Sequence, residues 1–222
     1  MTFSYTLDAQ DSTTAARAGR FRTMHGEVET PVFMPVGTSG SVKSLSPEAV
    51  AAAGASIILA NTYHLWLRPG VDTVRRLGGL HRFMSWPGAI LTDSGGFQVM
   101  SLAALRKVTD EGVTFRSHLD GSRCMLTPEE AIRIQDGLGT DIAMSFDELV
   151  ESPAPPAAVS AAVDRTVAWG QRGLDERAKL RDDGRGRMAL FGLNQGGVDA
   201  RERARCFVRL GARPLGGFSL GA

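Results

Sequence analysis

An aspartate stands where a fully apolar segment of the sequence ends. Residues 89–91 are apolar, Asp93 follows them after one threonine, and Gly95 and Gly96 come next. An unbroken apolar run is typical of a parallel strand that is covered on both faces. Glycine lets backbone N–H groups approach a ligand because it carries no side chain. The segment therefore predicts a buried strand that delivers one carboxylate to the floor of a pocket.

The same change from apolar residues to polar residues or glycine recurs along the chain. We count six such segments, at residues 31–38, 56–63, 89–98, 141–148, 188–197 and 217–222. Ser46 and Pro47 are an N-cap and a first helical residue between the first two segments, and this alternation is typical of parallel crossovers. The 222 residues are close to the length of about 250 that is typical of an eight-stranded α/β barrel. The sequence thus predicts an α/β fold, an incomplete (β/α)8 barrel with about six of eight strands, in a single partial domain over residues 1–222.

Two further segments interrupt this alternation. Residues 1–30 alternate polar and apolar positions and predict an antiparallel β segment before the barrel. Residues 113–126, with Asp120 and Gly121 between two β-like runs, predict a β-hairpin inserted after the third strand, because Asp-Gly suits a two-residue hairpin turn. Thr127 then begins a helix as its N-cap, with Glu130 three residues further on.

Composition excludes several classes of protein. The 25 basic and 24 acidic residues give no overall electrostatic signal for a nucleic-acid partner. Cys124 and Cys206 lack the neighbours that a zinc site or a disulfide framework requires, so we expect no metal in this chain. A leader sequence and an apolar run long enough to cross a membrane are both missing from the sequence, which favours a cytoplasmic protein with no membrane partner.

Three polar side chains are expected to meet although they are far apart in sequence. Asp93, Asp147 and Gln195 each follow an apolar segment, and in a barrel the carboxyl ends of the strands form one face. A carboxylate accepts hydrogen bonds and an amide both donates and accepts them, a set that suits a flat heterocycle edge such as that of guanine. Two alternatives stay open: ordinary polar residues at loop starts, or the paired carboxylates of a glycosidase.

Four motifs give the chain a family resemblance. FMPVGT at residues 33–38, NTYHLWLRPG at 61–70, TDSGGFQVMSL at 92–102 and SHLDGSR at 117–123 resemble the bacterial tRNA-guanine transglycosylases, also called queuine tRNA-ribosyltransferases. The motifs are long enough to be specific, and the resemblance covers essentially the whole chain. This family exchanges guanine at the wobble position of certain tRNAs for a 7-deazaguanine, which in bacteria is the aminomethyl precursor of queuosine.

The resemblance implies a role for each candidate residue. Asp93 would be the general acid and base of the exchange. The residues that would bind the base edge or shape its pocket are Asp93, Ser94, Gly95, Gly96, Phe97, Asp147 and Gln195, with Phe97 stacked on the ring. The partners implied are the tRNA anticodon loop, from which the nucleotide must leave its stack, and guanine and 7-deazaguanine bases. The family also makes a homodimer plausible.

The chain departs from the family pattern in two respects. The family's aspartate nucleophile and its zinc ligands, Cys-x-Cys-x-x-Cys and a histidine, would lie beyond Ala222. We therefore expect only the amino-terminal part of the enzyme, with zinc in the full-length family but not here, and no turnover by this fragment alone. Gly221 and Ala222 stand where the family has two glycines, the second of which contacts the base, so Ala222 joins the expected base-binding residues. A non-catalytic base- or RNA-binding partner subunit is the alternative.

Overall fold

The computed structural model describes residues 3–102 and 105–221. The amino-terminal segment is an antiparallel sheet of three strands, β1 Ser4–Gln10, β2 Arg17–Thr23 and β3 Gly26–Thr30, in the order β1, β2, β3. Phe21 pairs with Val28 across β2 and β3, and Val28 is buried in a cluster with the first residues of the parallel strands. The predicted antiparallel segment therefore packs against the amino ends of the barrel strands.

The central sheet is parallel and holds five strands in the order β11, β10, β9, β5, β4. Their bounds are β4 Ile57–Ala60, β5 Ala89–Thr92, β9 Ile142–Met144, β10 Ala189–Asn194 and β11 Gly217–Leu220. All four residues of β5 are buried, as expected for a strand with both faces covered. The predicted α/β class and partial barrel are confirmed, and the described residues form no closed barrel.

The first of the six predicted strands is not a regular strand. Residues 31–38 pair with the sheet through a single parallel bridge between Val36 and Leu59. Two hydrogen bonds flank this bridge, from Gly37 N to Leu59 O at 2.7 Å and from Leu59 N to Pro35 O at 2.9 Å. Pro31 and Pro35 have no N–H to donate, so the ladder cannot extend. The prediction of a strand there was wrong in extent, although the segment does run beside β4.

Eight helices connect these strands within the described residues. Their bounds are α1 Pro47–Ala52, α2 Thr62–Leu67, α3 Val71–Arg76, α4 Leu80–Met84, α5 Gly96–Leu102, α6 Pro128–Leu138, α7 Pro156–Asp182 and α8 Ala200–Gly211. The caps follow the sequence, because Ser46 Oγ accepts from Ala49 N and Thr127 Oγ1 accepts from Glu130 N, both at 3.2 Å. In the part of the chain that the structure describes, no helix is both long and apolar enough to cross a membrane.

The insertion between β5 and β9 is a small antiparallel sheet. It contains the two predicted strands, β7 Val113–Arg116 and β8 Arg123–Leu126, and a short strand β6 Lys107–Val108 that the sequence did not predict. Strand pairing ends at Arg116 and Arg123, and Ser117 N donates to Ser122 O at 2.8 Å. The expected two-residue turn is therefore a longer connection. Gly121 lies in it with a φ of 73°, a conformation that favours glycine.

Candidate functional site

Asp93, Asp147 and Gln195 line one cavity at the carboxyl ends of the parallel strands. Asp93 directly follows β5, Asp147 follows β9 by three residues, and Gln195 directly follows β10. The cavity has a volume of about 180 Å³. Its remaining walls are largely apolar and include Leu59, Leu91, Met144, Leu149 and Leu193. The structure thus brings together the three side chains that the sequence places far apart, in a space suited to a small, flat ligand.

Asp147 is the centre of a buried hydrogen-bond network. Its Oδ1 accepts from Ser94 Oγ at 2.7 Å, and its Oδ2 accepts from Gln195 Nε2 at 2.7 Å. Asp147 is 5% exposed and Gln195 is 3% exposed, so both side chains are held away from solvent. The Gln195 amide nitrogen carries a second hydrogen that this bond does not use. The pair can therefore present a fixed acceptor and a fixed donor side by side.

Asp93 is held by donors from a neighbouring strand end and from α5. Thr62 N donates to Oδ1 at 2.8 Å, and Gln98 Nε2 donates to Oδ2 at 2.9 Å. Asn61 Nδ2 also donates to Oδ2, and Thr62 Oγ1 donates to the Asp93 backbone carbonyl at 2.6 Å. Asn61 directly follows β4 just as Asp93 follows β5, so the strand-end rule could have identified it as a site residue. The role of Gln98 depends on the turn into α5, which the sequence does not specify.

Burial raises the pKa of both carboxyl groups of the cavity, Asp93 and Asp147. Burial raises the pKa of Asp93, and the hydrogen bonds from Asn61, Thr62 and Gln98 only partly oppose it. Burial also raises the pKa of Asp147, against the bonds from Ser94 and Gln195, and the nearby charge of Asp93 raises it further. A carboxyl group with a raised pKa keeps a proton closer to neutral pH and can deliver it as a general acid. Such pairs in a cleft mark candidate sites of proton transfer.

Some of the residues that follow Asp93 line the cavity, and others pack against the residues that line it. Ser94 and Phe97 line the cavity, and Phe97 is 57% exposed. Gly95 and Gly96 are not among its lining residues, and their approach to a ligand stays a prediction. A Cβ on Gly96 would lie 2.8 Å from Asp147 Oδ1 and 2.9 Å from the Asp147 carbonyl oxygen. The glycine at 96 is therefore needed so that the carboxylate of Asp147 can pack against the backbone.

The last strand contributes to the same cavity. Ser219 and Gly221 line it, and Gly221 N donates to Asn194 O at 3.0 Å. Ala222, which the sequence added to the base-binding residues, lies outside the described residues. In the loop after β10, the backbone N–H of Gln195 donates to Sγ of the buried Cys206 at 3.4 Å. Cys206 therefore supports the Gln195 loop from within the chain's interior.

One cluster of potential metal ligands occurs among the described residues, and it lies away from this cavity. His25 Nδ1 lies 2.8 Å from Asp141 Oδ1, and His81 Nε2 lies 3.0 Å from Asp141 Oδ2. The two rings stack face to face, with centroids 3.5 Å apart. Imidazoles bound to one tetrahedral ion diverge from it, so this stack does not fit zinc. The cluster instead connects the β2–β3 turn and α4 to the start of β9 by hydrogen bonds.

The cysteines do not supply a zinc site either. The family resemblance implies three cysteine ligands and a histidine, whereas this sequence holds only two cysteines. Cys124 lies on β8 and Cys206 on α8. The residues present therefore do not fit the zinc that the family carries.

The fold and the site together define a partial α/β-barrel protein whose cavity, at the carboxyl ends of its parallel strands, combines apolar walls with a few polar side chains. A sequence model of the family described as queuine tRNA-ribosyltransferase matches residues 11–222. The chain belongs to the queuine tRNA-ribosyltransferase family.

Proteins named queuine tRNA-ribosyltransferase are similar to this chain over nearly its full length. The one from Moorella thermoacetica is 54% identical over 218 residues, which cover 98% of this chain and 57% of that protein. The one from Desulforudis audaxviator is 55% identical, with 96% and 57% covered, and the one from Thermoanaerobacter pseudethanolicus is 52% identical, with 98% and 56% covered. The chain thus spans somewhat more than half the length of the curated relatives it matches.

Proposed function

We propose that this chain forms the base-binding part of a tRNA-guanine transglycosylase, which exchanges guanine at the tRNA wobble position for a 7-deazaguanine in queuosine biosynthesis. The observation that carries the proposal is the buried pair of Asp147 and Gln195 in a cavity that Asp93 also lines. Family membership supplies the reaction class. We treat residues 1–222 as one partial barrel domain.

The base edge matches the donors and acceptors of the cavity. Guanine carries N–H groups at N1 and on its exocyclic N2, and a carbonyl oxygen at C6. In the proposed complex the Asp147 carboxylate accepts from the N–H groups, and the free hydrogen of Gln195 Nε2 is donated to the carbonyl oxygen. Leu91 and Leu193 cover the ring faces, and Phe97 stacks at the exposed side of the cavity. A 7-deazaguanine has the same edge, so one pocket accepts both the leaving and the entering base.

Asp93 is proposed to move the proton. In its protonated form it gives a proton to the guanine that leaves the ribose, and as a carboxylate it takes one from the incoming 7-deazaguanine. The residue thus returns to its starting state after each exchange. Burial supports the first half of this cycle by raising the pKa of Asp93. The hydrogen bonds from Thr62 and Gln98 support the second half because they stabilise the carboxylate. We assign the covalent nucleophile to none of the described residues.

The substrate has consequences for partners and location. Guanine at the wobble position lies in the anticodon loop of tRNA, where bases can be splayed out of the stack and inserted into a pocket. With a formal net charge of +1, the chain gains little from overall charge, so we expect the loop's shape and the extruded base to provide most of the recognition. We propose the cytoplasm as the location because tRNA is the substrate. We also propose that the protein forms a homodimer.

The test combines base binding with base exchange. Guanine binding is measured by calorimetry on the 222-residue chain. Exchange of labelled guanine into tRNA is measured on the same chain joined to the remainder of the Moorella thermoacetica relative. Asp93→Asn should lower the exchange rate by about 10²–10⁴-fold, the usual contribution of a general acid or base, and should change guanine affinity far less. The matched control is Asp182→Asn, an exposed aspartate at the end of α7.

The outcomes separate three hypotheses: the role of Asp93, the base site itself and a non-catalytic subunit. Undiminished exchange in Asp93→Asn would overturn the assigned role of Asp93. Failure of the unmodified chain to bind guanine would overturn the base site itself. Guanine binding without exchange in the joined protein would favour the alternative of a non-catalytic base- or RNA-binding subunit.

A further inference from the structure

Arg203 donates hydrogen bonds to three backbone carbonyls, two in the loop that carries Gln195 and one at the end of the neighbouring strand. It is on α8, and its Nε donates to the carbonyl of Gly197 at 2.6 Å. Its Nη2 donates to Gly221 O at 2.9 Å, and its Nη1 donates to Asn194 O at 3.5 Å. Asn194 and Gly197 lie on either side of Gln195, and Gly221 follows β11. A single guanidinium group therefore connects the loop that carries Gln195 to the end of the neighbouring strand.

The backbone around this guanidinium is packed too closely to move independently. A Cβ on Gly221 would lie only 2.3 Å from Gln195 Nε2, so the amide rests directly against the Gly221 backbone. On the other side, a Cβ on Gly196 would lie 2.6 Å from Arg203 N, and Gly196 has a φ of 140°. A shift of Gly221 or of the 194–197 loop would therefore displace the Gln195 amide.

The side chain of Arg203 makes its hydrogen bonds to these backbone carbonyls. Among the described residues, no carboxylate lies within salt-bridge distance of it, whereas Arg205 on the same helix pairs with Asp164 at 2.6 Å. A guanidinium presents five N–H donors in a rigid plane and can hold several carbonyls at fixed angles. Lysine would replace this fork with one flexible ammonium group. The geometry of the contacts therefore depends on arginine in particular.

We propose that Arg203 is a positioning residue that fixes the Gln195 amide for recognition of the 6-carbonyl group of the base. The inference rests on the proposed function and adds a source of specificity to it, selection of 6-oxopurines over purines that lack this oxygen. Asp147 follows β9 and is held by Ser94 as well as by Gln195, so recognition of the amino group at C2 should depend on Arg203 much less than recognition of the 6-carbonyl group does. Arg203 itself touches no part of the ligand in this arrangement.

Three bases separate the two kinds of recognition. Guanine has the 6-carbonyl, the N1–H and the 2-amino group, 2-aminopurine lacks the carbonyl and the N1–H, and hypoxanthine lacks only the amino group. Their affinities are measured by calorimetry on the 222-residue chain, on Arg203→Lys and Arg203→Gln, and on Arg201→Lys as an exposed control on the same helix. A misplaced amide should weaken guanine binding by about 10–100-fold in the Arg203 variants. Binding of 2-aminopurine should hardly change, so the preference for guanine over 2-aminopurine should fall by about the same factor, and the part of it that comes from the N1–H bond to Asp147 should remain.

The preference for guanine over hypoxanthine should survive in the same variants because Asp147 still binds the amino group. Both preferences are ratios of affinities from one preparation, so a reduced folded fraction cancels. An unchanged guanine to 2-aminopurine ratio in Arg203→Lys and Arg203→Gln would overturn the positioning role. Loss of folding in both variants, seen by circular dichroism, would also overturn it, since Arg203 would then be purely structural. Failure of the unmodified chain to bind guanine would instead refute the proposed function.

Discussion

Asp147→Asn tests whether the buried carboxylate recognises the base. Asp147→Asn keeps the shape of the side chain but replaces one acceptor oxygen by an NH2 donor. Ser94 Oγ and Gln195 Nε2 both donate to the present carboxylate at 2.7 Å, so the variant can satisfy only one of them without rearrangement. The lost hydrogen bond costs about 0.5–1.5 kcal/mol. Removal of a buried charge offsets this cost, and we expect the free energy of unfolding to change by no more than about 1 kcal/mol at neutral pH.

The effect on base binding should be much larger. In the proposed complex the carboxylate accepts hydrogen bonds from guanine, and a hydrogen bond to a charged group contributes about 1.5–3 kcal/mol. At about 1.4 kcal/mol per factor of ten, guanine affinity should fall by roughly 10–150-fold. Calorimetry with guanine gives the affinity, and urea denaturation followed by circular dichroism gives the stability. An affinity within about threefold of the parent chain, in a variant of unchanged stability, would refute the assignment of Asp147 to the base edge.

Three further variants test other contacts. Gly96→Ala should lower the free energy of unfolding by about 1–3 kcal/mol, because its Cβ would lie 2.8 Å from Asp147 Oδ1, and urea denaturation will measure this loss. Gln98→Leu removes a donor to Asp93, so the pKa of Asp93 should rise further and the Asp93 limb in the pH profile of exchange by the joined protein should move to higher pH. His81→Leu removes a bond that helps to lower the pKa of Asp141 despite its burial. The parent chain should lose stability as pH falls below 3.8 through that lowered pKa, and the variant should lose less, measured by urea denaturation at several pH values.

The strands of the central sheet could be predicted because their signal is local. Residues 89–91 and 142–144 are short apolar runs bounded by polar residues, and both are buried strands. Residues 31–38 carry a similar run but form only one bridge, because the prolines remove the donors that a ladder needs. Strand β6 was missed because its two residues, Lys107 and Val108, are too few to show alternation.

The site could be predicted only in part. Asp93, Asp147 and Gln195 follow from the rule that strand ends of a barrel converge, and the cavity contains all three. The contacts of Gln98 and Arg203 could not be predicted, because they depend on how α5 and α8 turn back onto the sheet. For the same reason, no spacing in the sequence relates His25 and His81 to Asp141. Side chains that act through tertiary contacts leave no periodic signal.

The two carboxylates of the cavity should couple base binding to proton binding. Burial and the charge of Asp93 raise the pKa of Asp147 above its ordinary value of 3.8. In the proposed complex the base edge binds Asp147 as a carboxylate, since a protonated carboxyl group has fewer acceptor sites. Guanine should therefore lower the pKa of Asp147 when it binds. Its affinity should fall as pH drops through the raised pKa of the free protein, and binding in that range should release a proton.

Calorimetry in buffers of different ionisation enthalpy measures this proton release directly. Asp147→Asn cannot release a proton at this position, so the pH dependence of its residual guanine affinity should be much flatter. Asp182→Asn should behave like the parent chain, because that aspartate is exposed at the end of α7 and is not among the residues that line the cavity. Equal pH dependence in Asp147→Asn and in the parent chain would show that another group controls binding. It would remove the reason for placing the N–H groups of the base against Asp147.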